Sequence, residues 1–163
     1  MAEARGILVV GELSGSELAP ASCEALRVAH DLITSFEGEQ VSLLIAGDNL
    51  GNAPDQGISF GADVVYTFVS PILQDTPPDA MVAVIENAAR LINPRYLIGS
   101  KTLIGRDVLP RVAARLGTAL AQDCISLEVG SQGRLLASRP VYGGNAIAKV
   151  SCLQVPAVAA LRP

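Results

Sequence analysis

The sequence predicts an α/β fold of three layers, Rossmann-like or flavodoxin-like, with a mostly parallel sheet carrying helices on both faces and extended by antiparallel late strands. Three observations point there. Short apolar runs without alternation, such as residues 7–10 and 41–46, are what strands covered on both faces look like. Segments with apolar residues at helical spacing lie between them. The connections are short, as βαβ units require.

Taken in order, residues 7–10 form the first strand and residues 11–16 a polar loop. From Pro20, the spacing of Cys23, Leu26, Ala29 and Ile33 marks an amphipathic helix that ends near residues 36–38. Residues 41–46 form the second strand, residues 54–61 a small helix closed by Gly61, and residues 64–69 the third strand. Thr76-Pro-Pro-Asp79 reads as a helix start, with Thr76 as cap, prolines in the first turn and a carboxylate near the positive end. Met81, Val84, Ala88 and Leu91 carry that helix to Asn93–Pro94. Residues 96–99 form the fourth strand, residues 100–105 a loop, and residues 107–116 a helix with Leu109, Val112, Ala113 and Leu116 on one face. Pro110 is read as falling in its first turn. After Gly117, a C-terminal cap, the rhythm breaks. Residues 119–129, 134–142, 146–153 and 157–161 are all strand-like, an antiparallel or mixed extension of the sheet. With no repeat, low-complexity tract or linker, residues 1–163 read as one domain.

Composition narrows the function. Half of the 163 residues are hydrophobic, yet only 4% are aromatic. That mix suits helix-on-sheet packing and argues against a nucleic-acid platform, which needs stacking aromatics. No apolar run approaches the ~18 residues of a membrane span, and no targeting segment precedes the first strand, so the expectation is a cytoplasmic protein without membrane insertion. Three scattered cysteines and one histidine argue for reduced thiols and no metal. Residues 1–99 carry four basic and thirteen acidic side chains, whereas residues 100–163 carry eight basic and three acidic. Such a split suggests an anionic ligand or acidic partner near the second half, or mutual attraction of the two halves.

Two clusters invite chemistry. The loop Gly99, Ser100, Lys101, Thr102, Gly105 and Arg106 lies between a buried strand and a helix, where open α/β sheets bind anions. It fails as a Walker A loop, because Ser100 precedes Lys101 and Arg95 stands where the first glycine belongs. No GxGxxG follows the first strand either. Backbone reception of a phosphate and a merely connecting loop both remain open. Arg111 and Arg115 share one helix face, and an Arg111–Asp123 pair would tie that helix to the next strand. The second cluster, residues 139–146, RPVYGGNA, reads as a tight hairpin in which Gly143 and Gly144 take positive φ. Such a turn alone would not require Arg139, Tyr142 or Asn145. No nucleophile and base can be assembled, which disfavours hydrolase or transferase chemistry.

Together these clusters carry a family resemblance. Thr102, Gly105, Arg106, Asp107, Val108, Pro110, Arg111, Val112 and Ala113, followed by Arg139 to Ala146, resemble the N-terminal domain of the electron transfer flavoprotein alpha subunit. The opening strand and residues 41–47 are similar as well. The resemblance implies an adenine-nucleotide-alpha-hydrolase-like fold and a scaffold that pairs with a beta-type subunit in a heterodimer. It also implies FAD in the assembled complex and electron transfer from flavin dehydrogenases, with no catalysis by this chain. In the family most of the FAD site belongs to a C-terminal domain, so those residues have no counterpart here and a separate FAD domain is expected as a partner. That shifts Arg111, Asp123, Arg139, Tyr142 and Asn145 towards interface or structural roles. The alternative is a stand-alone adenine-nucleotide or FAD-binding protein that uses residues 99–106, with AMP as one ligand. A homo-oligomer through the late strands is a further partner expectation.

Overall fold

The computed structural model describes residues 3–163. The chain opens with β1 (Ile7–Val10), a two-strand hairpin of β2 (Leu13–Ser14) and β3 (Glu17–Leu18), and α1 (Pro20–Ile33). There follow β4 (Val41–Gly47), α2 (Ala53–Ser59), β5 (Val64–Val69), α3 (Pro78–Ile92), β6 (Tyr96–Ser100) and α4 (Leu103–Leu116). The last part holds β7 (Leu120–Cys124), β8 (Ser126–Val129), β9 (Leu135–Val141), β10 (Ala146–Ser151) and β11 (Ala157–Leu161). Six strands form a parallel sheet in the order β5-β4-β1-β6-β11-β7. This is the α/β class that the sequence predicts.

Every residue of β1, β4, β6 and β11 is buried, which is why these strands read as unbroken apolar runs. Their side chains alternate between two cores. Ile7, Val9, Leu43 and Ile98 face the layer of α1 and α2, while Leu8, Val10, Leu97 and Val158 face α3 and α4.

The late strands divide differently from expectation. β7 and β11 complete the parallel sheet, and β11 enters its interior between β6 and β7. The antiparallel strands form a separate sheet, β10-β9-β8, whose Leu135 and Ala137 are buried in the core on the α1 side. Tyr96 fastens it to the body, its hydroxyl donating to the Gly133 carbonyl at 2.8 Å. Beside it Arg95 lies 4.4 Å above the Phe36 ring and pairs with Glu39 at 2.6 Å.

Two helix starts also differ. The cap of α3 is Pro77, and Thr76 stands outside it with φ 46°. α4 begins at Leu103, four residues before the predicted start, because the Thr102 hydroxyl accepts from the Gly105 N–H at 2.9 Å and caps it there. Pro110 therefore lies well inside the helix, where it has no N–H to donate to the Arg106 carbonyl one turn back. Among the described residues no helix is long and apolar enough to cross a membrane.

Candidate functional site

The carboxyl ends of β1 and β6 carry the loop that the sequence singles out. Gly99 and Ser100 end β6, and residues 101–102 lead into α4. The positive end of α4 is already served by protein groups. Thr102 caps it and donates its hydroxyl proton to a Glu12 carboxylate oxygen at 2.7 Å. The Glu12 N–H donates to Ser22 Oγ at 2.8 Å, and the Ser100 hydroxyl donates to the Ala21 carbonyl at 2.9 Å. Burial pushes the Glu12 carboxyl above the ordinary carboxylate range, and the Thr102 hydrogen bond opposes that rise. The cavity between Glu12, Gly105 and Met81 measures about 10 Å³. That is room for roughly one water molecule. A Cβ on Gly105 would lie 1.9 Å from the Ser100 carbonyl oxygen, so glycine is required here by strand–helix contact. As arranged, these groups do not fit a flavin or an adenine nucleotide.

Lys101 turns away from this cavity to Asp123, 2.9 Å from it. Asp123, at φ 66°, also receives both arms of Arg162, at 2.9 and 2.7 Å. The Arg162 and Lys101 hydrogen bonds hold its carboxyl far below the usual range. The three side chains tie the ends of β6, β7 and β11 together.

Asp123 is thus not the partner of Arg111, as the sequence suggests. Arg111 pairs with Asp79 of α3 and with Asp107 of its own helix, and Arg115 reaches Glu86 at 3.2 Å. Glu86 also takes Arg90 at 3.0 Å. The two arginines therefore bind α4 to α3. Arg106 alone of the three is exposed and without a charged partner among the described residues.

The hairpin of β9 and β10 bends where the sequence places the bend. Tyr142, Gly143 and Gly144 all take positive φ, and the Asn145 side chain donates to the Tyr142 carbonyl at 2.9 Å. Asn145 closes the turn, while the Tyr142 ring is 84% exposed. Ile147, on β10, is 56% exposed and lies opposite Pro140. Arg139 sits opposite Ala148, with its Nε buried and without a hydrogen-bond partner. A second apolar surface lies at the free edge of the parallel sheet, where Tyr66, Phe68, Ile72 and Leu91 line a groove of about 500 Å³ beside α3.

Glu12, Ser22 and Arg162 are the participants that sequence reasoning misses. The partners of Glu12 and Arg162 lie far along the chain, 90 residues for Glu12–Thr102 and 39 for Arg162–Asp123. The available signal was position, since Glu12 follows a buried strand by two residues and Arg162 follows another directly. Among the described residues no three metal-ligating side chains gather.

A Rossmann-like α/β sheet whose carboxyl edge is closed by its own side chains, and whose antiparallel sheet projects an exposed hairpin, is the class that fold and site define. The chain belongs to the electron transfer flavoprotein domain family, whose model matches residues 7–163. The family is a flavin-associated one. The chain is 33% identical to the electron transfer flavoprotein subunit alpha of Thermoanaerobacterium thermosaccharolyticum, over all of this chain and 49% of that protein. It is 38% identical to protein FixB of Clostridium saccharobutylicum, again over all of this chain and 49% of the relative. It is also 30% identical to the lactate dehydrogenase (NAD(+),ferredoxin) subunit LctC of Acetobacterium woodii, over 90% of this chain and 35% of that subunit. The chain spans half or less of the length of these curated relatives.

Proposed function

We propose that residues 1–163 act as one scaffold domain of an electron transfer flavoprotein alpha-type unit in the cytoplasm. It docks a beta-type subunit, and FAD is held in the assembled complex by a separate FAD-bearing domain. Electrons from flavin dehydrogenases then pass through the flavin of the complex, and this chain supplies shape and contacts instead of a reacting group. The observation that carries the scaffold reading is the closed carboxyl edge. Thr102 and Glu12 take the place that a phosphate would need at the start of α4, and about 10 Å³ is left beside them. The family match over residues 7–163 supports electron transfer as the process it serves. On this reading Gly99, Ser100, Thr102 and Gly105 brace strand to helix, Lys101 and Asp123 clasp the sheet, and Arg111 joins two helices. Arg139, Tyr142 and Asn145 shape the docking hairpin.

The stand-alone reading, in which residues 99–106 bind AMP or FAD, is not favoured by that closure. Calorimetry of the pure chain with AMP, ATP and FAD is expected to give no binding heat. The chain purified with the beta-type subunit encoded in the same genome is expected to form a heteromeric complex by light scattering. Micromolar AMP binding by the chain alone, or a homodimer that ignores the beta-type subunit, counts against the proposal.

A further inference from the structure

Among the described residues, Arg139 is the charged side chain that carries a buried polar atom with no hydrogen-bond partner. Leu135 and Ala137, on the same face of β9, are packed into the core, and Arg139 is the next residue on that face. The side chain is half-buried, its Nε is covered, and no acceptor within the described residues meets it. Arg106 and Arg134 also lack a charged partner among the described residues, but both are exposed, so water can serve them. An Nε–H covered by protein and left without an acceptor costs free energy that a fully solvated surface arginine does not.

No carboxylate of the described residues pairs with Arg139. Residues 100–163 hold three acids, and all are engaged: Asp107 with Arg111, Asp123 with Lys101 and Arg162, Glu128 with Lys149. The surroundings of Arg139 also discriminate among ligands. Ala148 faces it across the ladder, Val141 and Ala146 are the next pair, and no second cation shares that face of the hairpin. A single guanidinium beside small apolar groups and the buried Cys124 thiol fits one carboxylate, whereas a phosphate would call for several cations and a polynucleotide for a basic track. Beyond the pair, the exposed Tyr142 at the turn adds apolar surface beside it, while the exposed Ile147 lies on the opposite face of the ladder.

We propose that Arg139 is the anchor of the docking hairpin and receives an aspartate or glutamate side chain of the partner, a role that rests on the docking reading above. The free chain carries the cost of an unpaired cation, and the complex relieves it. Replacing Arg139 therefore has opposite effects in the two states.

The test uses Arg139→Met and Arg139→Lys in the full chain, with the purified beta-type subunit of the same genome as probe. Calorimetry of complex formation is expected to show the Met variant weakened at least about tenfold. The Lys variant, which keeps charge but loses the fork, should fall in between. Urea unfolding of the free Met variant is expected at the same or higher midpoint than the wild type. Equal affinity of the Met variant overturns the proposal while leaving docking intact. A free Met variant of lower midpoint also overturns it, since Arg139 would then be paired within the chain; if that variant fails to fold, equal binding of the Lys variant and wild type does the same. A wild-type chain that does not bind the subunit removes the docking reading and this anchor with it.

Discussion

One hydroxyl, that of Thr102, caps a helix and hydrogen-bonds a half-buried carboxylate at once. Thr102→Val keeps the shape and removes both bonds, so urea unfolding should report a loss of about 1–2 kcal/mol, with Thr102→Ser close to wild type. Glu12 is the opposite case, since burial raises its folded pKa above the unfolded value. Its contribution is greatest in acid and is lost as pH rises through the raised pKa. Glu12→Gln keeps the acceptor oxygen for Thr102. It should gain up to about 1 kcal/mol at pH 7 and match the wild type at pH 4. Asp123 is held low by Arg162 and Lys101, so its contribution is full above the unfolded pKa of an aspartate and disappears as pH falls below that value. Asn tolerates the positive φ at this position, so Asp123→Asn removes the charge and one of the two acceptor oxygens without straining the backbone. A loss of about 1 kcal/mol at pH 7 is expected, discounted for the pair's contact with solvent and shrinking towards pH 2.

Elements were legible where the pattern was local. The strand at residues 64–69 and the capping of α4 by Gly117 follow the sequence reading directly. The start of α4 did not, because Thr102 proved itself a cap only through its contact with Gly105 and Glu12. β11 shows the same limit. Its run Ala157–Leu161 carries the signal of a fully buried strand, but nothing local says that it inserts between β6 and β7. Pairing of strands distant in sequence is a property of the assembled sheet. Two glycines of α4 separate close approach from backbone conformation. Gly105→Ala should cost about 2–3 kcal/mol, because a Cβ there meets the Ser100 carbonyl. Gly117→Ala meets nothing within 4 Å and should cost only about 1 kcal/mol, through its φ of 69°. Equal losses in thermal unfolding would refute that distinction.

At the scale of the whole molecule, the charge split visible in the sequence resolves into two parts. Arg111 and Arg115 spend their charge on acids of the first 99 residues, joining α4 to α3. Lys101 and Arg162 spend theirs on Asp123, within the second part. Arg106, Arg134 and Arg139 remain without acidic partners among the described residues, so internal attraction accounts for only some of the basic excess. The site followed the same course. The sequence singled out two clusters, because glycines, arginines and a hairpin signature are local features. It left open which of them is occupied from within, because Glu12 and Arg162 reach their partners only through the fold. On the proposed function the carboxyl-edge loop braces the molecule while the late hairpin docks. Amide hydrogen exchange of the chain with and without the beta-type subunit tests it most directly. Slowed exchange across residues 139–148, with residues 100–106 unchanged, is the predicted result, and protection of the loop with the hairpin unaffected would contradict it.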